Sequence, residues 1–66
     1  MKKLNETNKT LCPVCGKTHV EEYDVCEVCS WENDPVQFVK PNFAGGANKM
    51  SLNQARKAYQ SGQPVQ

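Results

Sequence analysis

The chain has 66 residues, enough for one domain, and at this size a hydrophobic core alone supplies only about 3–5 kcal/mol. Its formal charge of +1 recruits no obvious partner, and no stretch approaches the roughly 20 apolar residues that a membrane span requires. The start Met1-Lys2-Lys3-Leu4-Asn5-Glu6 lacks the apolar region of an export signal, so the four cysteines are expected in a reducing, cytoplasmic setting, free to bind metal.

Residues 1–10 are polar, rich in lysine and asparagine and without periodicity, and read as a flexible N-terminal arm. The folded domain is expected over 11–61. It opens on Cys12-Pro13-Val14-Cys15, where Pro13 presets its own backbone angle and Gly16 supplies the left-handed conformation that follows such a turn. Residues 17–25 carry β-branched and aromatic side chains and fit two short strands joined by a turn near Glu21-Glu22. A second pair, Cys26-Glu27-Val28-Cys29, follows. Asn33-Asp34-Pro35 is turn chemistry, Val36-Gln37-Phe38-Val39 fits one more short strand, and Pro41 ends it because proline cannot donate to a ladder. Ala44-Gly45-Gly46-Ala47-Asn48 allows a sharp turn before a helix predicted over 52–61.

That helix has a defined start and stop. Ser51 is its N-cap with Gln54 as the reciprocal member of a capping box, and Met50 is placed to staple against Ala55. Leu52, Ala55, Ala58 and Tyr59 share one face, a stripe read as core packing. Arg56 and Lys57 lie toward its C-terminal end, and Gly62 followed by Pro64 terminates it, leaving 62–66 as a tail. The chain contains no internal repeat.

The chemistry sits in the cysteines. Ten residues separate the two Cys-x₂-Cys pairs, enough for a hairpin that folds the second pair onto the first. Zinc takes four ligands, with sulfur at about 2.3 Å, and a two-residue spacer lets both thiolates of a pair meet one ion from a tight turn. Cys12, Cys15, Cys26 and Cys29 are therefore the predicted ligands of one structural Zn²⁺, with iron in the same cage, disulfide pairing and idle thiols as the alternatives. Four thiolates around Zn²⁺ carry about −2 together, taking the loaded chain to about −1. The apparent zinc affinity of comparable sites, about 10–16 kcal/mol coupled to folding, exceeds what this core supplies, so removing the metal is expected to unfold the chain.

His19 lies four residues after Cys15, but four cysteines already saturate the ion, and it is read as an exposed strand residue. A catalytic zinc needs an open position, which four thiolates do not leave. The sequence has no Gly-x-Ser-x-Gly, no His-Glu-x-x-His and no Gly-Lys-Ser/Thr after Gly45-Gly46. Glu32 and Asp34, the carboxylates beside the second pair, are read as turn and solvent-facing groups. No enzyme is predicted. Glu21, Glu22, Asp24, Glu27, Glu32 and Asp34 make the middle of the chain acidic, while Lys2, Lys3, Lys9 and Lys17 precede it and Lys40, Lys49, Arg56 and Lys57 follow; this run is read first as a solvated face.

Cys12-Pro13-Val14-Cys15-Gly16, Tyr23-Asp24-Val25-Cys26, Cys29-Ser30-Trp31-Glu32-Asn33-Asp34-Pro35-Val36-Gln37, Ala44-Gly45-Gly46-Ala47-Asn48 and Ser51-Leu52-Asn53-Gln54-Ala55-Arg56 together resemble the bacterial cysteine-rich CPCC family. The likeness covers about residues 11–60, and its Trp-Glu-x-Asp and Gly-Gly-Ala-Asn signatures are more specific than a lone Cys-x₂-Cys. Val14 stands where the family's name places a further cysteine, and Glu27 where its second pair usually begins Cys-Pro; neither departure removes a predicted ligand. The resemblance implies a small metal-stabilised α+β domain, a zinc-ribbon-like β-hairpin with two Cys-x₂-Cys knuckles plus one C-terminal helix. It implies no established activity.

Three functions compete. The first is a binding module presenting a surface to another protein, with the acidic segment and, unless it is core, Trp31. The second is a nucleic-acid-binding zinc ribbon, which the division of the eight basic residues between the two ends of the chain argues against. The third is a rubredoxin-like electron carrier, suggested by Cys-Pro-x-Cys-Gly but carrying a shorter gap between pairs than that family is expected to have.

Overall fold

A computed structural model describes residues 10–65. Its regular elements are β1 (Thr10–Leu11), β2 (His19–Val20), α1 (Pro35–Val39) and α2 (Leu52–Gln60). The expected arm lies outside the described residues except for Thr10, which belongs to β1. Within the expected tail, Val65 is buried in the core.

β1 and β2 pair antiparallel, Thr10 opposite Val20 and Leu11 opposite His19. The two strands expected within 17–25 therefore do not pair with each other. β2 pairs back across the first cysteine turn, and Val25 forms an antiparallel bridge to Glu32 across the second. The reason is local: each Cys-x₂-Cys turn reverses the chain, so the residues flanking it become nearest neighbours. The expected turn near Glu21-Glu22 is present, with the Asp24 carboxylate accepting from the Glu21 N–H at 2.9 Å. Asn33 holds this turn from outside: it exchanges backbone hydrogen bonds with Tyr23 and Asp24, and its side-chain amide donates to the Glu21 carbonyl.

Residues 35–39 form a helix where a strand was expected. Asp34-Pro35 is a helix start as much as a turn: the Asp34 carboxylate caps the Val36 N–H at 2.8 Å, and proline fits the first helical position, where no N–H is needed. The side chain that α1 buries is polar. Gln37 is fully buried, and its amide nitrogen lies 3.0–3.2 Å from the carbonyls of Phe43, Asn48 and Met50. Its oxygen accepts from the backbone and side-chain nitrogens of Asn48, at 3.1 and 2.8 Å. Asn48 in turn meets both backbone groups of Glu32, accepting its N–H at 3.0 Å and donating to its carbonyl at 2.9 Å. This buried amide network replaces a strand pairing and fastens the 44–50 loop to the chain that leaves the second cysteine pair.

α2 follows its sequence signals closely. Ser51 accepts from the Gln54 N–H at 3.1 Å while the Gln54 side chain accepts from the Ser51 N–H at 2.8 Å, closing the capping box. Met50 packs against the same cluster as Ala55. The helix ends one residue before expected, with Gln63 N–H donating to Ala58, Gly62 N–H donating to Tyr59 and Gly62 at φ 73°, the pattern of a Schellman stop. Leu52 and Ala55 join Val20, Trp31, Val65 and three cysteines in the core.

Candidate metal centre

The two cysteine pairs are built alike. In the first turn the Gly16 N–H donates to the Cys12 carbonyl at 2.9 Å; in the second the Ser30 N–H donates to the Cys26 carbonyl at 2.7 Å. Both closing residues adopt the left-handed conformation, Gly16 at φ 69° and Ser30 at φ 72°. The leading cysteine of each pair also donates its own N–H forward, Cys12 to Thr18 and Cys26 to Trp31, so each turn is closed at its neck. The sequence reading anticipated the glycine but not its serine counterpart, since serine carries no such backbone signal.

The turns aim their sulfurs at one point. The Sγ atoms of Cys12, Cys15, Cys26 and Cys29 all lie within 4.8 Å of one another, with Cys12 to Cys29 at 3.5 Å and Cys15 to Cys26 at 3.6 Å. Sulfurs at about 2.3 Å around a tetrahedral ion stand roughly 3.8 Å apart, so this donor set fits one metal ion. The close approaches run between the pairs rather than within them, as expected when two turns share one ion. All four thiols are free, three are buried and Cys15 is half-buried.

The surroundings treat the sulfurs differently. Burial pushes the Cys29 thiol strongly up, reinforced by the Cys12 and Cys26 thiols beside it. Burial also raises Cys15, against a backbone hydrogen bond from Lys17. At Cys26 burial acts upward too, but hydrogen bonds from the Thr18 hydroxyl and the Cys29 and Val28 backbone outweigh it and bring the thiol down to about 6. The Thr18 Oγ1 is 3.1 Å from the Cys26 Sγ, and the Val28 N–H donates to the same sulfur at 3.4 Å. From α2, the Arg56 guanidinium donates to the Pro13 carbonyl at 2.8 Å and ties the helix to the first turn.

The four predicted ligands are thus brought together, and His19 stands apart from them, exposed in β2. Asp34 corrects its reading. Instead of facing solvent it is buried, one oxygen capping α1 and the other accepting the Ala47 N–H at 2.9 Å. That Ala47 hydrogen bond, opposed by burial and assisted by those from Val36 and Gln37, holds its carboxyl below the usual range. Trp31 is core, 1% exposed, its indole N–H without a hydrogen-bond partner among the described residues. Thr18, Gln37 and Asn48 were not singled out by sequence reasoning; the Gly-Gly-Ala-Asn signature marked Asn48 without revealing its partners.

The Trp-Glu-x-Asp and Gly-Gly-Ala-Asn signatures now have a physical meaning, since Asp34, Gln37 and Asn48 lock those two segments together beside the cage. No curated protein matches the chain. The family described as Cysteine-rich CPCC matches over residues 10–62, nearly the whole described structure, and the chain belongs to that family.

Proposed function

We propose that this protein is a non-enzymatic zinc-binding module in which Cys12, Cys15, Cys26 and Cys29 hold one structural Zn²⁺, and that it acts by binding another protein. The observation that carries the metal reading is the convergence of four free thiols within 4.8 Å. Four thiolates complete the tetrahedron that zinc prefers and leave no position for a reacting water, so the ion organises the chain rather than performing chemistry. A reducing, cytoplasmic setting belongs to this reading, because it keeps the thiols available.

A protein partner is supported by what the fold leaves outside. Burial of Trp31 removes it from any contact surface, but Tyr23, Val25 and Val28 are about half exposed or more, at 57%, 60% and 47%. They alternate along the chain with exposed Glu22, Asp24 and Glu27, so the segment that leads into the second cysteine turn exposes both apolar and acidic side chains. Acidic side chains repel phosphate, which favours a protein over a nucleic acid. Native mass spectrometry, under reducing conditions, of the protein captured at near-endogenous level tests both parts. One zinc per chain with a stoichiometric protein companion is expected. A metal-free or disulfide-shifted mass contradicts the metal reading, a zinc-loaded chain without companion contradicts the partner reading, and a red iron-loaded protein with a reversible couple replaces zinc by an electron carrier.

A further inference from the structure

We infer that Thr18 is a positioning residue of the metal centre, its hydroxyl donating to the Cys26 thiolate and holding that sulfur on the ion. The inference rests on the zinc reading above and adds to it a residue outside the ligand set.

Thr18 touches both cysteine turns. Its carbonyl accepts the Cys12 N–H at 2.8 Å, closing the neck of the first turn, while its Oγ1 lies 3.1 Å from the Cys26 sulfur of the second. Among the described residues no other cage sulfur has a side-chain hydroxyl within hydrogen-bond distance. A free thiol and a hydroxyl can each donate to the other. A metal-bound sulfur has given up its proton, so only the hydroxyl can donate then, and loading the metal fixes the direction of this bond. The sulfur-to-sulfur contacts, by contrast, lose their protons on loading and become repulsive unless the ion sits between them. Thr18 thus supplies one of the few cage interactions that loading strengthens. It also draws charge from a cluster carrying about −2, the role outer hydrogen-bond donors play at metal sites generally.

Thr18→Val keeps the side-chain shape and removes the donor, whereas Thr18→Ser keeps the donor and trims a methyl. Zinc affinity is measured for the full chain by competition with a chromophoric chelator, and the sulfur-to-metal charge-transfer band is read with cobalt(II) in the site. Thr18→Val is expected to loosen zinc by about 10–100-fold and move the cobalt band to lower energy, with Thr18→Ser restoring the band and most of the affinity. Gly46→Ala, which disturbs the amide network and no sulfur, is the control: it weakens zinc through folding without moving the band. Wild-type affinity and an unmoved band in Thr18→Val overturn the inference alone. Equal losses in the Val and Ser variants with no band shift reduce Thr18 to packing and overturn it as well, while a wild-type chain that binds neither ion overturns the zinc reading and the inference with it.

Discussion

Ser30 and Gly46 show how much single positions decide. Ser30 occupies the left-handed conformation that Gly16 fills in the other turn, where a side chain costs roughly 1–2 kcal/mol. Ser30→Gly is therefore expected to stabilise the loaded protein by up to about 1 kcal/mol, read as a higher unfolding midpoint in urea at fixed zinc. A lower midpoint would mean that the serine side chain contributes more than its backbone strain costs. Gly46 is the opposite case. A Cβ there would stand 2.7 Å from the Asp34 carboxylate and 3.0 Å from the Gln37 side chain, and both are held by other hydrogen bonds. Gly46→Ala should cost about 1–3 kcal/mol in the same urea experiment, and a midpoint within error of wild type would show that the loop yields. The convergence of the four cysteines was legible from spacing alone, because two Cys-x₂-Cys turns the right distance apart can close on one point. Ser30 was not, because serine carries no signal for a left-handed backbone, and Thr18 and Gly46 were not, because the atoms that constrain them belong to other parts of the chain, Cys26 for the one and Asp34 and Gln37 for the other.

Among the elements, α2 could be read almost to the residue, since its cap, its apolar face and its stop are all local signals. α1 could not. Val36, Phe38 and Val39 are half exposed or more while the single polar residue among them, Gln37, is fully buried, which inverts the usual pattern. What selects the helix is Asp34, and its carboxylate carries a pH consequence. Its folded pKa lies below the ordinary carboxylate value of about 3.9, so its contribution is complete above that value and is lost as pH falls through the folded pKa. Protons on the thiolates would displace the proposed zinc from wild type and variant alike, so this effect does not by itself change the gap between them. The stability gap between wild type and Asp34→Asn at saturating zinc should hence stay constant from pH 8 to about pH 5 and narrow only in stronger acid. A gap that closes between pH 8 and pH 6 would show that another group carries the effect. The strand pairings differ from those expected for a related reason: alternation identifies extended segments, but the cysteine turns choose their partners.

At the scale of the whole molecule, the cysteine cluster and the core are the same object. Of the eight buried apolar residues among those described, three are cage cysteines, leaving Val20, Trp31, Leu52, Ala55 and Val65 as the hydrocarbon part. Five such side chains bury little apolar surface for a chain of this size, and the zinc proposed for the cage would add about 10–16 kcal/mol coupled to folding. Arg56 then attaches α2 to the first cysteine turn, and the buried amide network attaches the 44–50 loop to the chain that leaves the second. The amide proton spectrum of the reduced protein, recorded before and after zinc is withdrawn by a chelator, tests the coupling of zinc to folding directly. Dispersed resonances with one zinc per chain, their collapse on chelation and their return with a single equivalent of Zn²⁺ are the predicted result. A reduced, metal-free chain that keeps the same dispersed spectrum would contradict it.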